Sequence, residues 1–225
     1  MAAGREHFQE EAAERLRQRL RAAGRRRPLV VIIAGGSASG KGTLARALAG
    51  AVEPAATRIV NMDRYFKPAA ELPTYFSLRR NGPHPDWNQP DSFRHQELIA
   101  DMRRWTQDGA CAEDLLILEG ILALHFEALR ELAHLCLFVH TDADERIVRR
   151  IRRNMTERGS TFDEVADYYV ESVRDRHLQY VEPTRAFADL VIPGGSRLKE
   201  TEERTSAVAG LAAACLGALR EDARR

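Results

Sequence analysis

Cysteine is scarce in this chain of 225 residues. Cys111, Cys136 and Cys215 lie far apart and form neither a CxxC pair nor a cluster with histidine. Their spacing argues against a structural zinc site and suits a reducing compartment, with each thiol serving as a small buried apolar side chain. Net charge is nearly missing as well: 34 Lys and Arg stand against 33 Asp and Glu. The balance gives no global reason to expect nucleic acid or an anionic membrane as partner. No apolar run reaches the roughly 18 residues that span a bilayer, and the N-terminus lacks the apolar stretch of a secretory signal. A cytoplasmic protein is expected. Internal repeats and low-complexity tracts are also absent.

A hydrophobic fraction of 44% is enough for one substantial core. Phe8, Ala12, Leu16 and Leu20 recur every four residues, which predicts an amphipathic helix ending near Gly24, followed by an Arg25–Arg27 connector. Residues 1–27 therefore read as an appendage to a single domain over 28–225.

Within that domain, apolar strand patterns alternate with helical ones. Leu29 to Ala34 is uninterrupted and β-branched, as suits a strand covered on both faces, and Gly35-Gly36 end it. A helix is predicted from Lys41 to Gly50, a strand over 58–62, a helix over 91–107 and a strand over 115–118. Then follow a helix over 124–134, a strand over 135–139, an Arg-rich helix over 142–155, a helix over 161–180, a strand over 189–192 and a helix over 200–219. This order predicts an α/β fold with parallel strands and right-handed crossovers. Residues 67–90 mix prolines with Tyr75, Phe76, His84 and Trp87 and read as a long irregular loop without a regular element, at the sheet edge where such folds place ligands.

Gly35, Gly36, Ser37, Ala38, Ser39, Gly40 and Lys41 match the GxxxxGK core of a Walker A loop, between a buried strand and a helix. Such glycines let backbone N–H groups converge on phosphate oxygens. The helix terminus adds positive potential, and Lys41 supplies a cation for the β- and γ-phosphates. Gly42 stands where the pattern carries Ser or Thr, and the hydroxyl falls one residue later, on Thr43. Phosphoryl transfer to an alcohol also needs a carboxylate for the departing proton and acids on the metal side. Asp63 and Glu119 end two strands that should emerge beside the loop; Asp63 is the candidate base and Glu119 the candidate metal-side acid. Arg146, Arg149, Arg150 and Arg153 share one helical face and suit a lid over phosphates, although Asp144, Glu145 and Glu157 are close enough to pair with them.

Taken together, GGSASGKGT (35–43), MDRYFKP (62–68), HPDWNQPDSF (84–93), LEGIL (118–122), the 138–159 segment and EPTRAFADLVIPGG (182–195) resemble the uridine kinase family of P-loop nucleoside kinases, with nicotinamide riboside kinases as near relatives. The likeness covers residues 29–196. It implies a three-layer P-loop kinase fold with a mainly parallel five-stranded sheet and an Arg-rich lid at about 149–160. It further implies ATP and Mg2+ as cofactors, a small nucleoside-like substrate, and either a monomer or a homo-oligomer. On this likeness Asp63 is the general base toward the ribose 5′-hydroxyl and Asp86 holds the ribose hydroxyls. Glu119 and Thr43 hold magnesium, Arg150 and Arg153 reach the phosphates and acceptor, and Arg158 and Gly194 lie beside the nucleotide. Tyr65, Phe66, Trp87 and Tyr168 would line the acceptor site. The family's base-gripping hairpin does not fit between Trp105 and Asp114, Ser160 replaces an arginine, and Tyr168 takes a glutamine position, so the base is unassigned. Rival acceptors are a sugar phosphate or pantothenate, for which Arg79 and Arg80 could bind acidic groups; a regulatory ATPase is a third reading.

Overall fold

Seven consecutive residues of β1 (Leu29–Gly35) are buried, because both faces of this strand are covered. In the computed structural model, which describes residues 14, 18, 28–107 and 112–223, β1 is the centre of a five-stranded sheet of order β2-β5-β1-β6-β7. The other strands are β2 (Thr57–Asn61), β5 (Leu115–Glu119), β6 (Leu135–His140) and β7 (Leu190–Pro193). Every pairing is parallel. The helix read over 1–27, apart from Glu14 and Gln18, the Arg25–Arg27 connector and Cys111 lie outside the described residues.

Side chains alternate across a strand, so β1 feeds two cores. Val31 and Ile33 join Leu44, Leu48, Ile117, Leu137 and Leu211 on one face. There α1 (Lys41–Ala51) and the closing helix α6 (Leu198–Ala223) pack. Val30, Ile32 and Ala34 join Met62, Phe93, Leu98, Leu118, Phe138 and Val181 on the other. That face is covered by α2 (His95–Trp105), the short α3 (Glu127–Arg130) and the segment carrying Tyr180, Val181 and Ala188. Each fully buried Leu, Ile or Phe contributes about 1.5–3 kcal/mol, so the two cores fix the sheet and with it the strand ends. Cys136 and Cys215 are buried free thiols, one in each core.

The Arg-rich helix α4 (Ala143–Arg158) ends at Gly159, which takes the left-handed conformation at φ 67°. Next, α5 (Phe162–Tyr168) starts on a capping box between Thr161 and Glu164. Helical backbone continues through a π-helical stretch Tyr169–Val173, a turn Arg174–Arg176, a second π-helical stretch His177–Val181 and 3-10 turns to Phe187. Among the described residues no helix is long and apolar enough to cross a membrane.

Three sequence expectations are corrected. The supposedly irregular 67–90 segment contains an antiparallel hairpin, β3 (Thr74–Ser77) and β4 (Gly82–Pro85), which pairs Thr74 with Pro85 and Phe76 with Pro83. Proline is tolerated there because a two-stranded ribbon leaves outward N–H positions unused. The helix read over 124–134 shrinks to the single turn Glu127–Arg130. The helix read from Asp91 begins only at His95, after a separate 3-10 turn Pro90–Ser92.

Candidate active site

Gly35 ends β1 at φ 142°, and a Cβ there would lie 2.4 Å from the Val139 carbonyl oxygen, so only glycine fits. The loop closes on itself: the Ser39 N–H and the Lys41 ammonium donate to the Gly36 carbonyl at 3.1 and 2.9 Å. It is braced from behind by Thr141, whose hydroxyl donates to the Ser39 carbonyl at 3.0 Å, and by Gly194, packed against the same carbonyl. Inside this frame the buried Ser39 hydroxyl has no protein partner. A buried polar atom left unpaired at a strand-to-helix loop is a mark of a ligand position.

Register brings the acids beside the loop. Asn61 and Ile33 both pair with Glu119, so β2 and β5 end level, β1 runs on to Gly35, and Asp63 follows in the turn directly after Asn61. The Asp63 N–H donates to the Asn61 side-chain oxygen at 2.7 Å, which fixes the 3-10 turn Met62–Tyr65 and leaves the Asp63 carboxylate exposed. Burial pushes the Lys41 ammonium below its ordinary pKa, with Arg153 and Arg146 adding to the fall and Glu119 and Asp63 opposing it. Burial likewise raises Glu119, with Asp63 adding and Lys41, Arg46 and Arg153 opposing. Lys41 and Glu119 are thus each biased toward neutrality although they attract one another, because desolvation costs both more than the pairing returns. A Cβ built on Gly42 would sit 3.7 Å from Glu119 Oε1 and 3.5 Å from Arg46 Nη1, whereas Thr43 is exposed on the next helical position.

From α4, Arg146 and Arg150 are buried, Arg153 is half-buried and Arg158 is exposed. Arg146 packs its guanidinium on Gly36 and donates from Nε to the Thr141 carbonyl at 3.0 Å. Arg149 is committed to Glu145 at 2.6 Å and to the Gly194 carbonyl at 2.8 Å. The Nε atoms of Arg150 and Arg153 are buried and unpaired. Burial, together with Arg153, Arg158 and Arg146, lowers Arg150 to about 10 against the pull of Tyr168.

Beside Arg150 of α4 lies an aromatic wall. Phe66 meets Trp87 edge-on at 5.1 Å, Tyr75 stacks on Tyr168 at 5.5 Å, and Arg150 lies 5.6 Å from the Tyr168 ring. The Tyr168 oxygen accepts from the Trp87 N–H at 2.9 Å and from the Asn88 amide at 2.6 Å, and burial raises its pKa. Asp86 is fully buried and paired with Arg176 at 2.7 Å. Tyr65 faces elsewhere: it is buried with its hydroxyl on Asp101 of α2 at 2.8 Å. Arg79 and Arg80 are paired with Asp167 and Glu164 at 2.8 and 4.0 Å. Sequence reasoning missed Thr141, Arg46 and Arg176. Arg46 lies one helical turn beyond Gly42 on the same face, a spacing that was readable; the other two meet their partners only across the fold.

Comparison with known proteins identifies the family. The model of the phosphoribulokinase / uridine kinase family matches residues 89–200. A uridine kinase of Clostridium botulinum is 33% identical over 185 residues, covering 76% of this chain and 90% of its own. One of Bacillus cereus is 38% identical over 189 residues, covering 77% and 89%. In three dimensions, phosphoribulokinase from Rhodobacter spheroides shares the fold at a TM-score of 0.55 and 16% identity, over 73% of this chain and 69% of its own. The chain belongs to the phosphoribulokinase / uridine kinase family and is an ATP-dependent small-molecule kinase.

Proposed function

We propose that the protein transfers the γ-phosphoryl group of ATP to the ribose 5′-hydroxyl of a nucleoside. The observation that carries this reading is the buried Lys41 ammonium at the head of the loop, together with the unpaired Ser39 hydroxyl and the unpaired Nε atoms of Arg150 and Arg153, on a strand edge that also presents two carboxylates. Such a set lacks only a polyanion. The loop amides and Lys41 bind the β- and γ-phosphates, which supplies the charge that the buried ammonium is missing. Asp63, exposed at the end of β2, takes the 5′-hydroxyl proton. Arg150 and Arg153 stabilise charge spread over the transferring oxygens. Asp86 meets the ribose, and Phe66, Trp87 and Tyr168 form an aromatic surface for the base. Tyr65 serves here by anchoring the turn that carries Asp63 rather than by touching substrate.

One or two carboxylates plus phosphate oxygens is the donor set that magnesium takes in such sites, and Glu119 with Asp63 nearby fits it. Glu119 is the residue that would hold the ion; Thr43 is exposed on the next helical position and is a weaker choice than the sequence suggests. Bound magnesium neutralises β- and γ-phosphate charge. Residues 28–225 are the kinase unit, with the lid at about 149–160 and residues 1–27 as an appendage.

The test is ADP formation from ATP with uridine, cytidine, nicotinamide riboside, ribulose 5-phosphate and pantothenate in parallel. Turnover is expected with at least one nucleoside. ADP at background with all three would remove nucleosides as the acceptor class, and turnover with either of the other two would name the replacement.

A further inference from the structure

Asp86, assigned above to the ribose, has no exposed surface and is already engaged. Its Oδ2 accepts from Arg176 Nε at 2.7 Å and from Gln89 Nε2 at 3.3 Å, and its Oδ1 accepts from the Asn88 N–H at 2.9 Å. A carboxylate offers about four lone-pair positions, so one remains, on Oδ1. Arg176 stands on the short turn between the two π-helical stretches, with its side chain 27% exposed. Its Nη1 donates to Gln179 at 3.1 Å, and its Nη2 has no partner among the described residues.

The three bonds on Asp86 are unequal. The contact from Arg176 is short and charge-assisted, and breaking it would leave a buried carboxylate uncompensated. The contact from Gln89 is longer and neutral, and it occupies the second position of Oδ2.

We infer that Arg176 is a specificity-determining residue of the acceptor site: it limits Asp86 to one acceptor hydroxyl and offers its own N–H beside it. The preferred acceptor therefore presents one hydroxyl donor next to an oxygen that accepts a hydrogen bond, such as a ribonucleoside whose base carries a carbonyl near the sugar. A free carboxylate would instead take both hydroxyls of a vicinal diol. This inference rests on the nucleoside reading above.

Steady-state kinetics with a ribonucleoside and its 2′-deoxy and 3′-deoxy forms test it, for the native protein, Arg176→Met and Arg176→Lys. In the native protein one deoxy form is expected to lose about 10- to 100-fold in kcat/KM, carried by KM, and the other less than about threefold. Arg176→Met frees Asp86 for both hydroxyls, so the two losses converge to within about threefold while KM for ATP stays within about twofold. Arg176→Lys, which keeps the charge without the planar fork, gives an intermediate ratio, and it decides alone if the Met variant does not fold. A residue with only a structural role would lower the melting temperature and affect all three acceptors alike. Equal losses for the two deoxy forms in the native protein, or a ratio unmoved by the variants, overturns the inference while nucleoside phosphorylation stands. No turnover with any ribonucleoside overturns the nucleoside reading and this inference with it.

Discussion

Replacing Gly194 by alanine should press directly on the phosphate loop. A Cβ at this buried position would lie 2.1 Å from the Ser39 carbonyl oxygen, 2.3 Å from the Thr141 hydroxyl and 2.7 Å from Val139 Cγ1. Gly194 is itself pinned, since its N–H donates to the His140 carbonyl at 2.7 Å and its carbonyl accepts from Arg149 at 2.8 Å. The clash therefore relaxes mainly by moving Ser39, about 1 Å away from an ordinary contact distance. Overpacking costs about 1–3 kcal/mol, and losing the Thr141 to Ser39 hydrogen bond adds about 1 kcal/mol. The sum of about 2–4 kcal/mol lowers Tm by about 4–16 °C at the sensitivity of a domain of this size. On the proposed reading Ser39 belongs to the loop that holds the nucleotide, so KM for ATP should rise about 10- to 100-fold, while KM for the acceptor changes less than about twofold. Differential scanning fluorimetry and initial rates with varied ATP read both effects. Gly50→Ala is the control: nothing lies within 4 Å of its Cβ, and it should stabilise α1 by about 0.5–1 kcal/mol. A lowered Tm with unchanged KM for ATP would refute the claim that this contact braces the loop.

Gly42→Ser places a hydroxyl beside Glu119 without a clash, since the nearest atoms to its Cβ are 3.5 and 3.7 Å away. Half-saturation by magnesium should fall by about threefold or more in the variant, from one added oxygen ligand or water-anchoring group; an unchanged magnesium requirement would show that position 42 does not face the ion. His177 gives a pH test. Burial lowers its pKa to about 4, with Arg146 adding and Glu182 at 3.3 Å opposing. Because the folded value lies below the unfolded one near 6.5, the neutral form belongs to the native state and the unfolded chain binds the extra proton between pH 6.5 and 4. Stability is full above that window and falls through it by up to about 1.4 kcal/mol per pH unit. Urea midpoints from pH 7 to 4.5 should show a shallower loss in His177→Gln than in the native protein, and parallel curves would refute this assignment.

Much of this site was readable before the fold was known, and the reasons are local. The five strands carry their own signal, since runs such as LVVIIA and LCLFV are too apolar to lie anywhere but between covered faces. Lys41 follows from the loop pattern and Asp63 and Glu119 from position at strand ends, and register then places both acids where they act on Lys41. The hairpin over Thr74–Pro85 was hidden because its prolines mimic loop punctuation, and only pairing between its two strands shows which N–H groups are dispensable. The helical periodicity around Leu124 overstated a single turn for want of a cap. The arginine stripe on α4 was visible as a stripe, but not its division of labour. Arg149 pairs with Glu145 within the helix, whereas Arg150 and Arg153 keep unpaired donors. Arg176 and Asp86 stand 90 residues apart, and no spacing rule links them.

In the proposed mechanism phosphoryl transfer to the acceptor requires Asp63 as the group that takes its proton. The direct measurement is Asp63→Asn, with ATP binding by calorimetry beside single-turnover phosphoryl transfer to the acceptor identified in the panel. Amide and carboxylate are nearly isosteric and the Asp63 side chain is exposed, so Tm and ATP affinity should be nearly unchanged. The transfer rate should fall by about 10²- to 10⁴-fold. A transfer rate within about threefold of the native protein, with ATP still bound, would contradict the assignment of the base and the phosphoryl-transfer geometry built on it.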